Sequence, residues 1–279
     1  MHLPVSLPRA LRAAFLLAAI SAPTFAPALH ATEPPPQAEA VPSRVYLGPD
    51  DEPLPLQSPA DIEEFLRTAD VVDSRQMESG TTGIHRLVLE SDGFRARGAF
   101  RTVDIKEERA QLAHGAYAAF YDRAMHEVAA YKLARMLNFP LVPPAVIRHW
   151  NGEQGSLQLW VEGAITEGER ARATASPARV AYWSAQQAAM TFFDALIGNE
   201  DRNTGNALLD GSGFLWLIDH TRAFQRPRGA PDLSEVTRVP TDLLEQVRAL
   251  DPDQVRSVLA PHLEGLQIST MFDRRDALI

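Results

Sequence analysis

Ile197–Asn206 reads IGNEDRNTGN, and Leu215–Phe224 reads LWLIDHTRAF. Asp201 and Asn206 stand in a D-x-x-x-x-N spacing, and Asp219 closes the apolar run Phe214–Ile218. Phosphoryl transfer asks for such a set: a carboxylate beside the acceptor hydroxyl, and oxygen ligands for a divalent cation that bridges phosphates. A carboxylate at the end of a buried strand, aimed into a cleft, suits the metal. Asp-Arg-Asn alone is usually a turn, and Ile-Asp alone is often a capped strand end. Order, spacing and apolar flanks together carry the reading.

Outward from this stretch, Arg179–Leu196 reads as one apolar-faced helix. The tail, roughly Pro240–Leu266, reads as two helices started by Thr241 and by Asp251-Pro252. Upstream, Ala145–Trp150 and Leu157–Val161 are short strands about an Asn151-Gly152 turn. Tyr117–Asn138 has helical spacing and is stopped by Pro140 and Pro143-Pro144. Ile84–Glu90 and Phe94–Ile105 alternate about Ser91-Asp92-Gly93, which predicts a hairpin preceded by the loop Ser79–Gly83. Ser58-Pro59 opens a short helix. The predicted fold is α+β and two-lobed: a small β-rich N-lobe over 44–162 and a mainly helical C-lobe over 163–279.

Arg9 and Arg12 precede the apolar segment Ala13–Ala22, the signature of a signal peptide with cleavage near Ala31. The segment is shorter than the ~20 residues of a membrane span, so no stable span is expected after cleavage. A Pro-rich linker, 32–43, follows. Without cysteine, an exported chain would be held by its core alone, and a bacterial periplasmic or secreted location is the expectation. The 279 residues suffice for a sizeable core, and the net charge of −9 argues against a nucleic-acid partner.

D-R-x-x-x-N followed by I-D-x-x-x-A-F resembles the phosphoinositide 3-/4-kinase group, the secreted Fam20-like kinases and the HipA-like bacterial kinases. It is most similar to uncharacterised exported bacterial proteins sharing LQLWVEG and runs like DALIGNEDRNTGN and LWLIDHTRAF. The resemblance spans about residues 78–224 and implies an atypical protein-kinase-like fold. It makes Asp201 the catalytic carboxylate, Asn206 and Asp219 the metal ligands, and Arg202 the brace of the loop. The N-lobe should then supply a phosphate cover, a strand lysine and a helix glutamate that pairs with it. Ser79–Gly83, with Gly80 and Gly83, is the candidate cover, and Glu127 the helix glutamate. The strand position falls on Arg101 in Ala99-Phe100-Arg101, with Lys106 five residues on, and either cation is a candidate for the phosphates. Leu157–Gly163 would enter the hinge between the lobes.

The expected cofactors are ATP and Mg²⁺ or Mn²⁺, and the expected reaction is phosphoryl transfer to a hydroxyl of a protein, lipid or small molecule. A catalytically inactive nucleotide- or partner-binding module is the alternative, and nucleotidyl transfer a third reading.

Overall fold

The structure is a computed structural model that describes residues 45–56, 58–77, 83–108, 111–112, 115–173, 180–227 and 233–279. The leader, the linker and Ser79–Thr82, with Gly80, lie outside these residues. Ser58 caps α1 (Pro59–Thr68) by accepting from the Asp61 N–H at 3.1 Å. β1 (Asp70–Gln76), β2 (His85–Ser91) and β3 (Phe94–Arg101) follow. Asp92 and Gly93 turn β2 into β3 with φ of 52° and 79°, the left-handed pair that a two-residue hairpin needs.

Next come β4 (Asp104–Glu108), β5 (Gln111–Leu112), β6 (Gly115–Arg123) and α2 (Ala124–Met136). β7 (Ala145–Trp150) and β8 (Glu153–Leu159) form the hairpin about Asn151-Gly152. The helical half holds β9 (Ile165–Thr166), α3 (Glu167–Arg172), α4 (Val180–Ile197), β10 (Ala207–Leu209), β11 (Leu215–Leu217), β12 (Arg226–Pro227), α5 (Thr241–Arg248), α6 (Pro252–Leu259) and α7 (Gly265–Leu278).

The main sheet is antiparallel in the order β1-β2-β3-β8-β7. Leu87, Leu89, Phe100 and Leu157 are fully buried in it, and α1 and α2 pack against it. Residues 42–279 form one compact unit with a continuous apolar core. Among the described residues no helix is long and apolar enough to cross a membrane.

Three expectations are corrected. The strand expected over Phe94–Ile105 is cut after Arg101, and β4 joins a second sheet, β12-β6-β4, with β5 paired to β6. The helix expected from Tyr117 begins only at Ala124. Tyr117, Ala119 and Tyr121 are buried while Ala118 and Phe120 are less so, which is strand alternation hidden by helix-favouring alanines. The C-terminal α7, beyond the two expected tail helices, carries a buried arginine: Arg274 donates from Nε to the Leu196 carbonyl and from Nη1 to the Gln225 carbonyl, each at 3.0 Å.

That guanidinium lies against Gly198, whose φ is 58° and whose missing Cβ would stand 2.6 Å from Arg274 Cζ. Gly198 thus lets α7 brace the entrance to the 197–206 loop. Gly198→Ala forces a left-handed alanine and displaces Arg274. The variant is expected to lose about 1–3 kcal/mol in urea denaturation.

Candidate functional site

Arg202 builds the site. Its Nε donates to Asp194 Oδ2 at 2.9 Å and its Nη2 to Asp194 Oδ1 at 3.1 Å, so α4 holds it bidentately. Nη1 donates to the carbonyls of Ile218, at 2.9 Å, and Asn206. One guanidinium therefore ties the helix, the 201–206 loop and the end of β11 together.

Within the loop the Asn206 carboxamide donates to the Asp201 carbonyl at 2.9 Å, and the Ile218 N–H donates to the Asn206 carbonyl at 3.1 Å. These bonds bring Asp201, Asn206 and Asp219 to one junction. Asp219 sits at φ 58°, which an aspartate tolerates better than most residues, and Thr221 Oγ1 donates to its Oδ1 at 3.1 Å. The Arg222 Nη1 is 3.4 Å from Asp201 Oδ2, and its Nε is 2.9 Å from Asp122 Oδ2.

Glu127 is fully buried on α2. Its Oε2 accepts from the His220 N–H at 2.9 Å; its Oε1 takes His220 Nδ1 at 2.8 Å and Gln158 Nε2 at 2.7 Å. His220 Nε2 is 2.9 Å from Arg202 Nη2. A guanidinium only donates, so Nε2 accepts and Nδ1 carries the proton toward Glu127. Burial works to raise the Glu127 carboxyl, but His220 and the charge of Arg101 outweigh it and hold it well below the usual carboxylate range.

The expected strand-cation pairing takes a different form. Arg101 is 3% exposed at the end of β3, close enough for its charge to act on Glu127, yet its Nε and Nη1 are buried without a hydrogen-bond partner among the described residues. The Glu127 oxygens are already taken by His220 and Gln158. Lys106 is not brought to the site: on β4, its Nζ lies 3.0 and 3.2 Å from the Glu264 carboxylate. Gly83 (φ 62°) lies in the loop joining β1 to β2, closed by the Met77 N–H donating to the Ile84 carbonyl at 2.8 Å. Gly83 is the one residue of the candidate cover among the described residues.

His220 and Arg222 both stand in LWLIDHTRAF, but their partners Glu127 and Asp122 are 93 and 100 positions away, and no spacing rule links them. Gln158, within LQLWVEG, gave no signal of its own.

Beyond β8, Trp160–Gly163 lines a pocket of about 370 Å³ together with Tyr46, Asp51 and Trp216. Glu162 there is 8% exposed; Arg97 Nη1 is 3.2 Å from its Oε2, and its Oε1 has no partner.

No protein-family model matches the chain, and none of the curated proteins is similar to it. Solved structures do match. The hydra Fam20 structure with sugar superposes at a TM-score of 0.59 with 15% identity, over 78% of this chain and 86% of that one. The Golgi casein kinase with Mn/ADP bound gives 0.57 and 15%, over 79% and 74%. The Helicobacter pylori proinflammatory kinase CtkA gives 0.50 and 10%, over 77% and 94%. This chain has an atypical protein-kinase-like fold. Its five-stranded sheet with α2 is the small lobe of that fold, and the helical half is the large one.

Burial pushes the Glu162 carboxyl up to about 7, against the pull of Arg97 and Arg86. The folded chain binds this proton more tightly than the unfolded chain does. Stability is therefore expected to fall as pH rises from the ordinary value of 4.5 through about 7. In thermal melts from pH 4 to 8, Glu162→Gln should flatten this decline, gaining on the wild type as pH rises.

Proposed function

We propose that the protein is an ATP- and divalent-metal-dependent phosphotransferase acting on a hydroxyl acceptor. The observation that carries this is the convergence of Asp201, Asn206 and Asp219 at one junction braced by Arg202. Two further features fit the ligands. Among the described residues Arg101 keeps two buried donor nitrogens, Nε and Nη1, unpaired, a costly arrangement that a phosphate oxygen would relieve. Among the described residues no three His, Cys, Asp or Glu side chains cluster to cage a metal. Asn206 and Asp219 supply the two oxygen ligands expected when nucleotide phosphates and water complete the shell of Mg²⁺ or Mn²⁺.

In this reading Asp201 orients the acceptor hydroxyl and takes its proton as the oxygen attacks the γ-phosphorus. The bond to the β–γ bridging oxygen breaks, ADP leaves, and Asp201 returns the proton to water. Arg101 holds nucleotide phosphates. The bound metal would neutralise charge on the transferring phosphates. The leader with Arg9, Arg12 and Ala13–Ala22 supports export to the periplasm or medium as part of the same proposal.

The second reading, a nucleotide- or partner-binding module without turnover, rests on the arginine standing at the strand-lysine position. Thermal shift separates the readings. ATP with Mn²⁺ at a hundred times its Kd should stabilise the mature wild type by about 2.7 kcal/mol, and Asp219→Ala should abolish the metal-dependent part. Absence of any metal-dependent shift in the wild type would overturn nucleotide binding. A shift without γ-phosphate release from wild type would favour the module, and release lost by about 10²-fold or more in Asp201→Asn would favour the enzyme.

A further inference from the structure

The phosphoryl group passing from nucleotide to acceptor must cross the space beside Asp201, and that space needs a positive charge. The 201–206 loop offers none that is free. Arg202 is its one cation, and Asp194, His220 and the carbonyls of Asn206 and Ile218 engage it.

Arg222 is placed differently. It follows Asp219 by three residues, and the charges of Asp122, Asp201 and Asp219 all act on it. Asp122 is 2% exposed on β6; its Oδ2 accepts from Arg222 Nε at 2.9 Å, and its Oδ1 has no partner. A buried carboxylate is costly unless paired, and among the described residues Arg222 is the one side chain that pairs it. Asp122 thus works as an anchor that fixes one edge of the guanidinium. The ring of Phe120 lies 6.0 Å from Arg222 Cζ. Nη1 reaches Asp201 at a loose 3.4 Å, and Nη2 donates to nothing among the described residues. The side chain as a whole is 36% exposed.

We propose that Arg222, anchored by Asp122, is a catalytic residue that binds the oxygens of the transferred phosphoryl group between Asp201 and Asp219. This rests on the phosphotransferase reading above. As the acceptor oxygen bonds to the γ-phosphorus and the bond to ADP breaks, Nη1 and Nη2 donate to the non-bridging oxygens, and the acceptor proton goes to Asp201. The contact with Asp201 is long enough to be exchanged for a phosphate oxygen. An arginine supplied in cis at such a point accelerates phosphoryl transfer by several orders of magnitude elsewhere.

The test uses the mature chain, Mn²⁺, ADP and ATP, with water as the phosphoryl acceptor. Equilibrium binding of each nucleotide is measured beside the rate of ATP hydrolysis. Arg222→Ala should leave ADP·Mn²⁺ affinity within about twofold of wild type. It should remove most of the preference for ATP over ADP and slow hydrolysis by at least about 10²-fold, with partial rescue by millimolar guanidinium. Arg222→Lys, which keeps the charge and loses the fork, should fall between. Because Arg222→Ala orphans the buried Asp122, the same measurements are repeated on Arg222→Gln combined with Asp122→Asn. Unchanged ATP preference, or hydrolysis unchanged or faster, in a variant whose wild type binds nucleotide would overturn the role of Arg222 alone. It would show that Arg222 only neutralises Asp201. A wild type with no metal-dependent nucleotide binding would instead overturn the phosphotransferase reading itself.

Discussion

The buried chain from Glu127 through His220 and Arg202 to Asp194 sets the terms for the rest of the molecule. Glu127 and His220 are fully buried, and Asp194 is nearly so. Charges withdrawn from water in this way are tolerated only when every lone pair and proton finds a partner. Removing one member of such a set leaves another uncompensated, at a cost of about 3–5 kcal/mol. Here the bonds close: Glu127 takes two from His220 and one from Gln158, and Arg202 spans Asp194, His220 and two carbonyls. The chain crosses α2, β8, α4, the 201–206 loop and the 218–220 segment. Helix α2, the 201–206 loop and the segment after β11 are therefore positioned as one piece.

Commitment of Glu127 to His220 has a consequence on the small-lobe side. A strand cation gripped by the helix carboxylate would have little hydrogen-bonding capacity left for a ligand. Arg101 instead feels the charge of Glu127 while keeping Nε and Nη1 unpaired. An arginine is suited to that position, since its forked guanidinium carries more donors than a lysine ammonium. On the opposite side of the junction, Asp122 fixes one edge of the Arg222 guanidinium. Arg222 is thus held by a buried acid, whereas Arg101 feels Glu127 through its charge alone.

Local rules made several pieces legible. The Asp92-Gly93 and Asn151-Gly152 turns, the Ser58 cap and the long α4 follow from dihedral preference, side-chain capping and helical period, all of which act over a few residues. The same rules failed at β6, where alanine propensity outvoted a two-residue alternation that becomes a strand only through pairing with β4 and β12. They also failed at Lys106, whose sequence distance from Arg101 is short but whose strand belongs to another sheet and meets Glu264 on the far C-terminal segment.

By itself, then, the sequence determined the α+β, two-lobed kinase-like class and the order Asp201, Asn206, Asp219, because motif spacing and turn chemistry are written within short stretches of chain. Only the tertiary structure decided which cation stands by the helix glutamate, which partners that glutamate keeps, and which arginine faces Asp201. Those choices depend on distance and burial among residues well separated in the chain, 31 positions for Glu127 with Gln158, 93 for Glu127 with His220 and 100 for Asp122 with Arg222. Electrostatic partners are selected by what folding brings within hydrogen-bonding range and by what it removes from water.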